Sequence, residues 1–375
     1  MKVLMLSCNT GQGHNTAARA VMEEFERRGV ACEIKDALAF SSELTSKVVS
    51  GAYIKMATDA PNLLGKLYQT GDAMTNSYVK SPIYAANMTY TRKLGKYIRE
   101  NGFDAVIATH VFPALALSHL AKREHIDAGV YFIATDYTCH PFTDEVECDR
   151  YFIAHADLID EYVSRGLERG RLCPTGIPVS EKFSVHPGRE EAREKLGVRA
   201  DAKIFLVMTG SMGFGSTVPM VEAILKGGDE RSVVYVMTGR NEEMKREIDR
   251  IHAADARVVA VPFTTEVPLY MSAADVLMTK PGGLTTTEAA VFNIPLVLSA
   301  PIPGCETANA HFFEGKGMAV CVQDSEAAAH AALWLAADAD KSRRMIEAQA
   351  NTINARAAKD ICDAVTEDGR QRKSS

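Results

Sequence analysis

Hydrophobic and polar positions follow two alternating patterns along the chain. Short unbroken runs of Val, Ile, Leu, Met and aromatic residues predict strands that are buried on both faces of a parallel sheet. Between them, apolar residues recur every three or four positions, as in 15–29 and 241–253, and predict amphipathic helices. The predicted strands are 2–8, 33–37, 104–110, 129–135, 150–155, 203–210, 232–239, 257–263, 275–279 and 295–300. This alternation is typical of a doubly wound α/β fold.

The alternation breaks between residues 165 and 200, where three prolines and several polar turns interrupt it. A chain of 375 residues also exceeds the usual size of one hydrophobic core. We therefore predict an N-terminal domain over 1–170, a linker over 171–200 and a C-terminal domain over 201–375, whose terminal helix is a candidate to return to the first domain. The architecture that follows is two Rossmann-like domains facing each other across a cleft.

Composition and charge narrow the class of protein. Hydrophobic residues at 46% and charged residues at 24% are typical of a soluble globular protein, and the net charge of −6 argues against nucleic acid as a partner. The eight cysteines form no C-x-x-C pair, which indicates reduced thiols in the cytoplasm. No apolar run reaches the about 18 residues of a membrane span, and the N-terminus does not resemble a signal peptide.

Glycine loops or polar turns follow four of the predicted strands, at 11–18, 209–215, 238–241 and 281–288. In an open parallel sheet, ligands bind beyond the carboxyl ends of the strands. Glycine lets backbone N–H groups approach a phosphate there, and the following helix adds its positive end. A single loop of this kind is a weak signal, because tight turns need glycine for geometry alone. Three loops in the second half together indicate a phosphate site in that half.

The first loop invites comparison with the nicotinamide-binding fingerprint, because GQG follows the first predicted strand. That fingerprint requires Gly or Ala at its sixth position and an acidic residue about 20 positions further on. Asp36 could supply the acid, but Thr16 occupies the sixth position. We therefore reject a dehydrogenase.

Glu288 has two interpretations. Thr285-x-x-Glu288 matches a capping box, in which the carboxylate reaches back to a backbone N–H group. Alternatively, an acidic residue one turn into a helix, beside a phosphate-binding turn, accepts hydrogen bonds from the two ribose hydroxyls of a nucleotide. The residues alone leave both interpretations open.

Six motifs then resemble one known family, in the family's order and over residues 8 to 310. They are GQGHNTAA, TDYTCH, TGIPV, TGSMGFG, KPGGLTTTEA and PIPGCETANA. Together they resemble the diacylglycerol glycosyltransferases, namely the bacterial processive diacylglycerol glucosyltransferases and the plant monogalactosyldiacylglycerol synthases. A more distant resemblance is to the N-acetylglucosaminyltransferase that completes lipid II.

The resemblance implies a GT-B fold and an inverting, metal-independent transfer from a UDP-sugar, with no cofactor, that makes a β-glycoside on diacylglycerol. It places the donor on the C-terminal domain and the lipid acceptor on the N-terminal one. By motif, Gly282, Gly283, Thr285 and Thr286 lie against the diphosphate, and Glu288 lies against the ribose. The other implied donor contacts are Gly210, Ser211 and Arg240 near the diphosphate, Phe263 near uracil, and Glu306 and Asn309 at the sugar hydroxyls.

Such a transfer needs one general base, and histidine is the natural residue near neutral pH. His14 follows two glycines at the end of the first predicted strand, although a histidine there could also cap its own helix. Asp136 could orient His14 or act as the base itself. No D-x-D carboxylate pair follows a predicted strand, so we expect no metal, with helix N-termini and Arg240 stabilising the departing UDP.

The segment 46–99 is strongly basic, with eight Lys or Arg and two Asp, which gives it a net charge of +6, and it holds six of the twelve tyrosines. Lysine and tyrosine together are typical of a surface that docks on anionic lipid. We therefore predict peripheral binding to the inner face of the cell membrane through Arg92, Lys93, Lys96 and Arg99, with His140 on the acceptor side. The alternative is a solvated helical face whose tyrosines pack inward.

Three other functions stay open besides transfer to diacylglycerol. One is a transferase that acts on another lipid or on a polyprenyl-linked sugar. Another is a sugar-nucleotide epimerase of the same fold, which would need acidic residues around the sugar and no membrane surface. The last is a non-catalytic sensor of UDP-sugars, which would keep the donor motifs but need no base at His14.

Overall fold

A computed structural model of the chain describes residues 1–8, 12–40, 82–124, 126–208, 217–299 and 301–374. The chain divides into two compact units. Unit 1 comprises Met1–Ser180, Pro303–Cys305 and Asn354–Ser375, and unit 2 comprises Glu181–Ile302 and Glu306–Ile353. The first boundary lies inside the segment 171–200 that the prolines and polar turns distinguish.

Two six-stranded sheets, one in each unit, organise the fold. Their strands are β1 (Lys2–Ser7), β2 (Ala31–Asp36), β3 (Ala105–Ala108), β4 (Gly129–Ile133), β5 (Arg150–Phe152), β6 (Leu172–Cys173), β7 (Lys203–Met208), β8 (Ser232–Gly239), β9 (Val258–Pro262), β10 (Val276–Thr279), β11 (Leu296–Ser299) and β12 (Val320–Val322). The order is β2-β1-β3-β4-β5-β6 in unit 1 and β12-β11-β10-β7-β8-β9 in unit 2, and every neighbouring pair is parallel. The predicted α/β fold class is confirmed.

The helices alternate with these strands. They are α1 (Gln12–Arg27), α2 (Pro82–Asn87), α3 (Thr91–Asn101), α4 (Val111–Arg123), α5 (Ile159–Ser164), α6 (Arg189–Lys195), α7 (Thr217–Gly227), α8 (Glu242–Ile251), α9 (Val267–Ala273), α10 (Gly283–Phe292), α11 (Cys305–Gly315), α12 (Ser325–Ala337), α13 (Ala339–Thr352) and α14 (Ala357–Ser374). Short 3₁₀ turns lie at Ala37–Phe40, Met88–Tyr90, Thr143–Glu145, Ala156–Leu158, Arg169–Arg171 and Glu181–Phe183.

The central strands consist almost entirely of apolar residues, as expected where helices cover both faces of a sheet. Every residue of β3, β4, β10 and β11 is buried, as expected for parallel strands with two covered faces. All ten predicted strands are present, although several end one to three residues earlier than the apolar runs suggested. The sequence patterns missed β6 and β12, which contain two and three residues.

The C-terminal helix α14 belongs to unit 1. Its residues Ile361, Cys362 and Val365 are completely buried in the same core cluster as residues of α1 and β4. An ion pair fastens the helix to the sheet, since the Arg150 guanidinium lies 2.5 Å from a carboxylate oxygen of Asp368. The last helix thus supplies part of the core of the unit in which the chain begins.

Candidate active site

The strand order of unit 1 places a group of polar side chains at one edge of its sheet. The chain leaves β1 for β2 on one side and later occupies β3 on the other, so β1 and β3 form a topological switch point. His14 lies in the first turn of α1, the helix that follows β1. Thr109 and His110 follow β3, and Thr135 and Asp136 follow β4. Because β1, β3 and β4 are neighbours, their carboxyl ends bring these five residues together.

Hydrogen bonds fix the ring of His14. Its Nδ1 lies 2.8 Å from the backbone carbonyl oxygen of Thr109 and 3.0 Å from the hydroxyl oxygen of Thr135. A carbonyl oxygen can only accept, so Nδ1 carries the hydrogen and the neutral ring has its lone pair on Nε2. The Thr109 hydroxyl also donates to the carbonyl oxygen of His14 at 3.1 Å, which ties the helix start to the end of β3. This arrangement leaves Nε2 as the basic atom.

The surroundings keep His14 uncharged. Burial lowers the pKa of His14 to about 4, the Thr109 carbonyl opposes that shift, and the nearby His140 adds to it. At neutral pH the ring is therefore in the unprotonated form that a general base requires.

A cavity of about 20 Å³ lies against this ring, large enough for about one water molecule. His14, His110, Thr135, Asp136 and His140 are among the residues that line it, which brings together both predicted catalytic residues and the predicted acceptor residue. Asp136 is half-buried there. Across the described ranges, no three His, Cys, Asp or Glu side chains are grouped so that they could hold a metal ion.

Three residues of this group were missed by the sequence patterns. Thr109, His110 and Thr135 are the last letters of the runs DAVIATH and GVYFIAT, which were predicted to be strand throughout. The strands in fact end at Ala108 and Ile133, so these residues belong to the loops at the sheet edge. A polar residue at the carboxyl end of an apolar run is the signal that could have identified them.

Unit 2 has a corresponding switch point between β7 and β10, and the turn after β10 lies there. The Thr279 hydroxyl donates to the Met208 carbonyl at 2.7 Å and joins the ends of the two strands. Lys280 forms an ion pair with Glu306 at 2.7 Å. Glu306 also accepts a hydrogen bond from the backbone N–H of Ile302 at 2.9 Å. The first two contacts hold the chain at the start of the turn.

The helix α10 begins with an open, unprotected N-terminus. Its N-cap is Gly282, which provides no side-chain cap, and a Cβ atom at this position would meet nothing within 4 Å. The N–H groups of Gly283, Leu284 and Thr285 have no carbonyl one turn earlier to bind within the helix. Three backbone donors and the positive helix end therefore point at the space in front of Gly282, which suits an anion.

Glu288 lies in the second turn of this helix and is only 8% exposed. Burial raises the pKa of its carboxyl to about 8, and the cation of Lys182 offsets part of that rise. No hydrogen bond to this carboxyl is found among the described residues. The capping-box interpretation is wrong, because the helix begins at Gly283 with Gly282 as its N-cap, so Thr285 lies inside the helix.

Two residues that were predicted to contact the ligand support the turn. The side chain of Thr286 is completely buried, and its hydroxyl donates to the carbonyls of Gly282 and Gly283 at 3.0 and 3.1 Å. Asn309 is also completely buried, and its amide donates to the Pro281 carbonyl at 2.9 Å. Both side chains hold the turn in shape, and their contacts with the diphosphate and the sugar hydroxyls stay predictions.

Arg240 and Phe263 follow the neighbouring strands β8 and β9 at the same edge of the sheet. The Arg240 guanidinium lies over the Phe263 ring, 5.0 Å from its centroid, and that ring is 59% exposed. An exposed aromatic face beside a cation can stack on a planar, negatively charged ligand. Gly210 and Ser211, which were predicted to contact the diphosphate, lie outside the described residues.

The helix α3 presents a basic face. Arg92, Lys93, Lys96 and Arg99 are exposed, while Leu94 and Ile98 pack into unit 1. Two of the cations have acidic neighbours: Lys96 lies 3.6 Å from Glu100, and Arg99 lies 3.1 Å from Glu124. The part of the basic segment over 46–81 lies outside the described residues. None of the helices that the structure describes is long and apolar enough to cross a membrane.

Two family models match successive parts of the chain. The Monogalactosyldiacylglycerol (MGDG) synthase model matches residues 14–179, and the Glycosyltransferase family 28 C-terminal domain model matches residues 204–365. The chain is also 27% identical over 370 residues to a processive diacylglycerol beta-glucosyltransferase of Bacillus thuringiensis (strain Al Hakam), an alignment that covers 98% of this chain and 94% of that protein.

Solved structures are similar over nearly the whole chain. MurG of Acinetobacter baumannii has a TM-score of 0.62 at 17% identity, over 98% of this chain and 99% of that one. A UDP-GlcNAc 2-epimerase of Neisseria meningitidis bound to UDP-GlcNAc has a TM-score of 0.64 at 12% identity, over 98% and 100% of the two chains. At these identities the likeness shows the fold alone. The resemblance inferred from the six motifs is confirmed by the two family models and the full-length relatives. The chain therefore resembles the diacylglycerol glycosyltransferases over nearly its whole length and has the GT-B fold.

Proposed function

We propose that the protein is an inverting glycosyltransferase that moves a hexose from a UDP-sugar to diacylglycerol at a membrane surface. The observation that carries the proposal is the buried carboxyl of Glu288, which lies one turn behind the open N-terminus of α10. An anion site followed by a buried carboxyl at this spacing fits a diphosphate joined to a ribose.

The donor would be held by groups of unit 2. The backbone N–H groups of Gly283, Leu284 and Thr285 would bind the diphosphate in front of Gly282, where a side chain would occupy the space. Glu288 would accept hydrogen bonds from the ribose hydroxyls.

Neighbouring groups of unit 2 would position the uracil and the sugar of the donor. Phe263 offers an exposed ring for uracil, and Arg240 beside it offers a positive charge to the departing diphosphate. Glu306 remains a candidate for the sugar hydroxyls, held at the turn by Lys280.

The acceptor would be activated by His14. The acceptor oxygen forms a bond to the anomeric carbon with its own electron pair, and its proton passes to Nε2 of His14. The bond from that carbon to the diphosphate breaks on the opposite face, and its electron pair leaves with UDP. Attack and departure on opposite faces invert the anomeric carbon, so an α-linked donor gives a β-glycoside. Asp136 lines the same cavity and would stabilise the imidazolium that forms.

The similarity of fold to an epimerase does not decide between the two activities, since the fold supports both. Two features favour a transferase. The relatives that match over the full length are named as diacylglycerol glucosyltransferases, and unit 1 carries an exposed basic helix that an enzyme acting on a nucleotide sugar in solution would not need.

The direct test is to incubate the purified protein with labelled UDP-glucose or UDP-galactose and with vesicles that contain diacylglycerol. We expect the label to pass to a lipid product with a β-glycosidic bond, identified by extraction and NMR. Vesicles without diacylglycerol serve as the control. Label that stays in the nucleotide sugar, with epimerisation of the sugar, would contradict the proposal.

Replacing His14 with Ala should lower kcat by ~10²–10⁴-fold, the usual contribution of a general base. Affinity for the UDP-sugar should change little, because that site belongs to unit 2. His330→Ala is a matched control, since that histidine is exposed on α12. Turnover within about threefold of the parent would mean that the base lies elsewhere, with Asp136 the first residue to test.

The pH profile of the parent provides an independent check of the same base. The pKa of His14 is lowered to about 4, so the ring stays neutral above that pH. With saturating UDP-sugar, kcat/KM for the acceptor should therefore stay level on the acid side until the pH approaches 4. A fall in kcat/KM centred near pH 6.5 would show a histidine with an ordinary pKa acting as the base.

Changing Arg92, Lys93, Lys96 and Arg99 together to Gln should weaken co-sedimentation with anionic vesicles by at least about tenfold at low salt. Each cation near such a surface contributes on the order of 1 kcal/mol, and salt screens that contribution. Activity on vesicle-borne diacylglycerol should fall in parallel, while UDP-sugar affinity stays unchanged.

The matched control for this variant removes the same charge from exposed positions of unit 2. Its substitutions, again to Gln, are at Lys226, Arg246, Arg250 and Arg344. If both variants sediment like the parent, or if both weaken equally, then the face of α3 has no special role in docking.

A further inference from the structure

His110 lies beside the proposed base and has its own fixed hydrogen-bond geometry. Its Nδ1 accepts a hydrogen bond from the backbone N–H of Phe112 at 3.1 Å, which makes it the N-cap of α4. A ring nitrogen that accepts a hydrogen bond from an amide does so with its lone pair and carries no hydrogen. The neutral ring of His110 therefore carries its hydrogen on Nε2.

The tautomers of the two neighbouring histidines are thus opposite. His14 donates from Nδ1 to the Thr109 carbonyl and has a lone pair on Nε2, whereas His110 accepts at Nδ1 and has a hydrogen on Nε2. Their rings are in contact, with centroids 4.6 Å apart and planes inclined by 78°. Both rings line the cavity of about 20 Å³, so a ring with an acceptor at Nε2 and a ring with a donor at Nε2 meet at the same small space.

A single hydroxyl group needs both of these partners. It donates its one hydrogen to an acceptor, and its oxygen can accept a hydrogen bond on one lone pair while the other stays available. We propose that His110 is a substrate-positioning residue whose Nε2–H donates to the oxygen of the acceptor hydroxyl while His14 Nε2 receives that hydroxyl's proton. This inference rests on the proposed function and extends it to the group that aims the nucleophile.

Burial keeps the His110 ring neutral, so its Nε2–H remains a hydrogen-bond donor at neutral pH. His110 is 7% exposed, and burial, followed by the influence of His14 and His140, holds the pKa of His110 well below its usual range. The ring therefore stays neutral and keeps one hydrogen, with its position dictated by Phe112. A cap alone does not require this side chain, because Asn, Asp, Ser and Thr cap helices equally well with less buried volume.

Two substitutions separate the two bonds of His110. His110→Asn places an amide oxygen near the original Nδ1, so it keeps the cap on the Phe112 N–H and loses the donor at the Nε2 position. His110→Gln places an amide nitrogen near the original Nε2, so it keeps the donor and loses the cap. If His110 positions the substrate, His110→Gln should have the higher kcat of the two variants. If His110 is only a helix cap, His110→Asn should have the higher kcat.

We expect His110→Asn to lower kcat about tenfold or more, as the loss of one orienting hydrogen bond implies, with unchanged Tm and UDP-sugar affinity. His110→Gln should have a lower Tm but a higher kcat than His110→Asn. The inference is overturned if His110→Asn turns over at the parent rate, or if it is the more active of the two variants.

Nitrogen-15 NMR of the histidine rings tests the same inference without turnover. The parent should show hydrogen on Nε2 of His110 and on Nδ1 of His14, and a short-chain diacylglycerol should shift the Nε2 signals of both rings. Hydrogen on Nδ1 of His110, or no shift at its Nε2, would overturn the inference. A parent that makes no glycolipid would refute the proposed function separately, and the ring spectra would still decide the role of His110.

Discussion

The order of the strands in each sheet is the constraint on which both candidate sites depend. Because β1 lies beside β3, and β7 lies beside β10, the chain leaves neighbouring strands toward opposite faces and opens a crevice at their carboxyl ends. His14 and Thr109 meet only because their strands are neighbours, although they are 95 positions apart in the sequence. The turn before α10 is held in the same way, by the Thr279 hydroxyl on the Met208 carbonyl.

Burial then sets the charge state of the two central side chains. It lowers the pKa of His14 to about 4 and raises the pKa of Glu288 to about 8, so both are mostly neutral at pH 7. A neutral histidine can accept a proton at once. Glu288 differs, since hydrogen bonds from ribose hydroxyls favour its ionised form and would lower its pKa on binding. Its pKa in the folded protein lies above that of the unfolded chain, about 4.3, so this residue's contribution to stability is lost as the pH rises from there through about 8.

The sequence was sufficient for the features that depend on local pattern. Apolar runs predicted ten strands and the fold class, and the rule that ligands bind at strand ends selected His14, Asp136 and Glu288 as candidate site residues. The sequence patterns did not show features that depend on contacts between distant segments of the chain. The motifs gave no sign that the side chains of Thr286 and Asn309 are completely buried and bind backbone carbonyls. His110 had no motif of its own, because its role follows from the neighbouring strand β1 and the tautomer that Phe112 imposes.

The central claim, that Glu288 receives the ribose of a UDP-sugar, is tested most directly by the pH dependence of UDP-sugar affinity measured by calorimetry. The diphosphate of a UDP-sugar stays ionised throughout the range, so the titration reports the protein. If only ionised Glu288 binds, the pKa of about 8 predicts that affinity rises by about fifty-fold between pH 6 and 8 and then levels off. Glu288→Gln should bind weakly with no such rise, whereas Glu222→Gln, at an exposed position on α7, should behave like the parent. Equal affinity in Glu288→Gln and the parent at pH 8.5, with no pH dependence in either, would contradict the account.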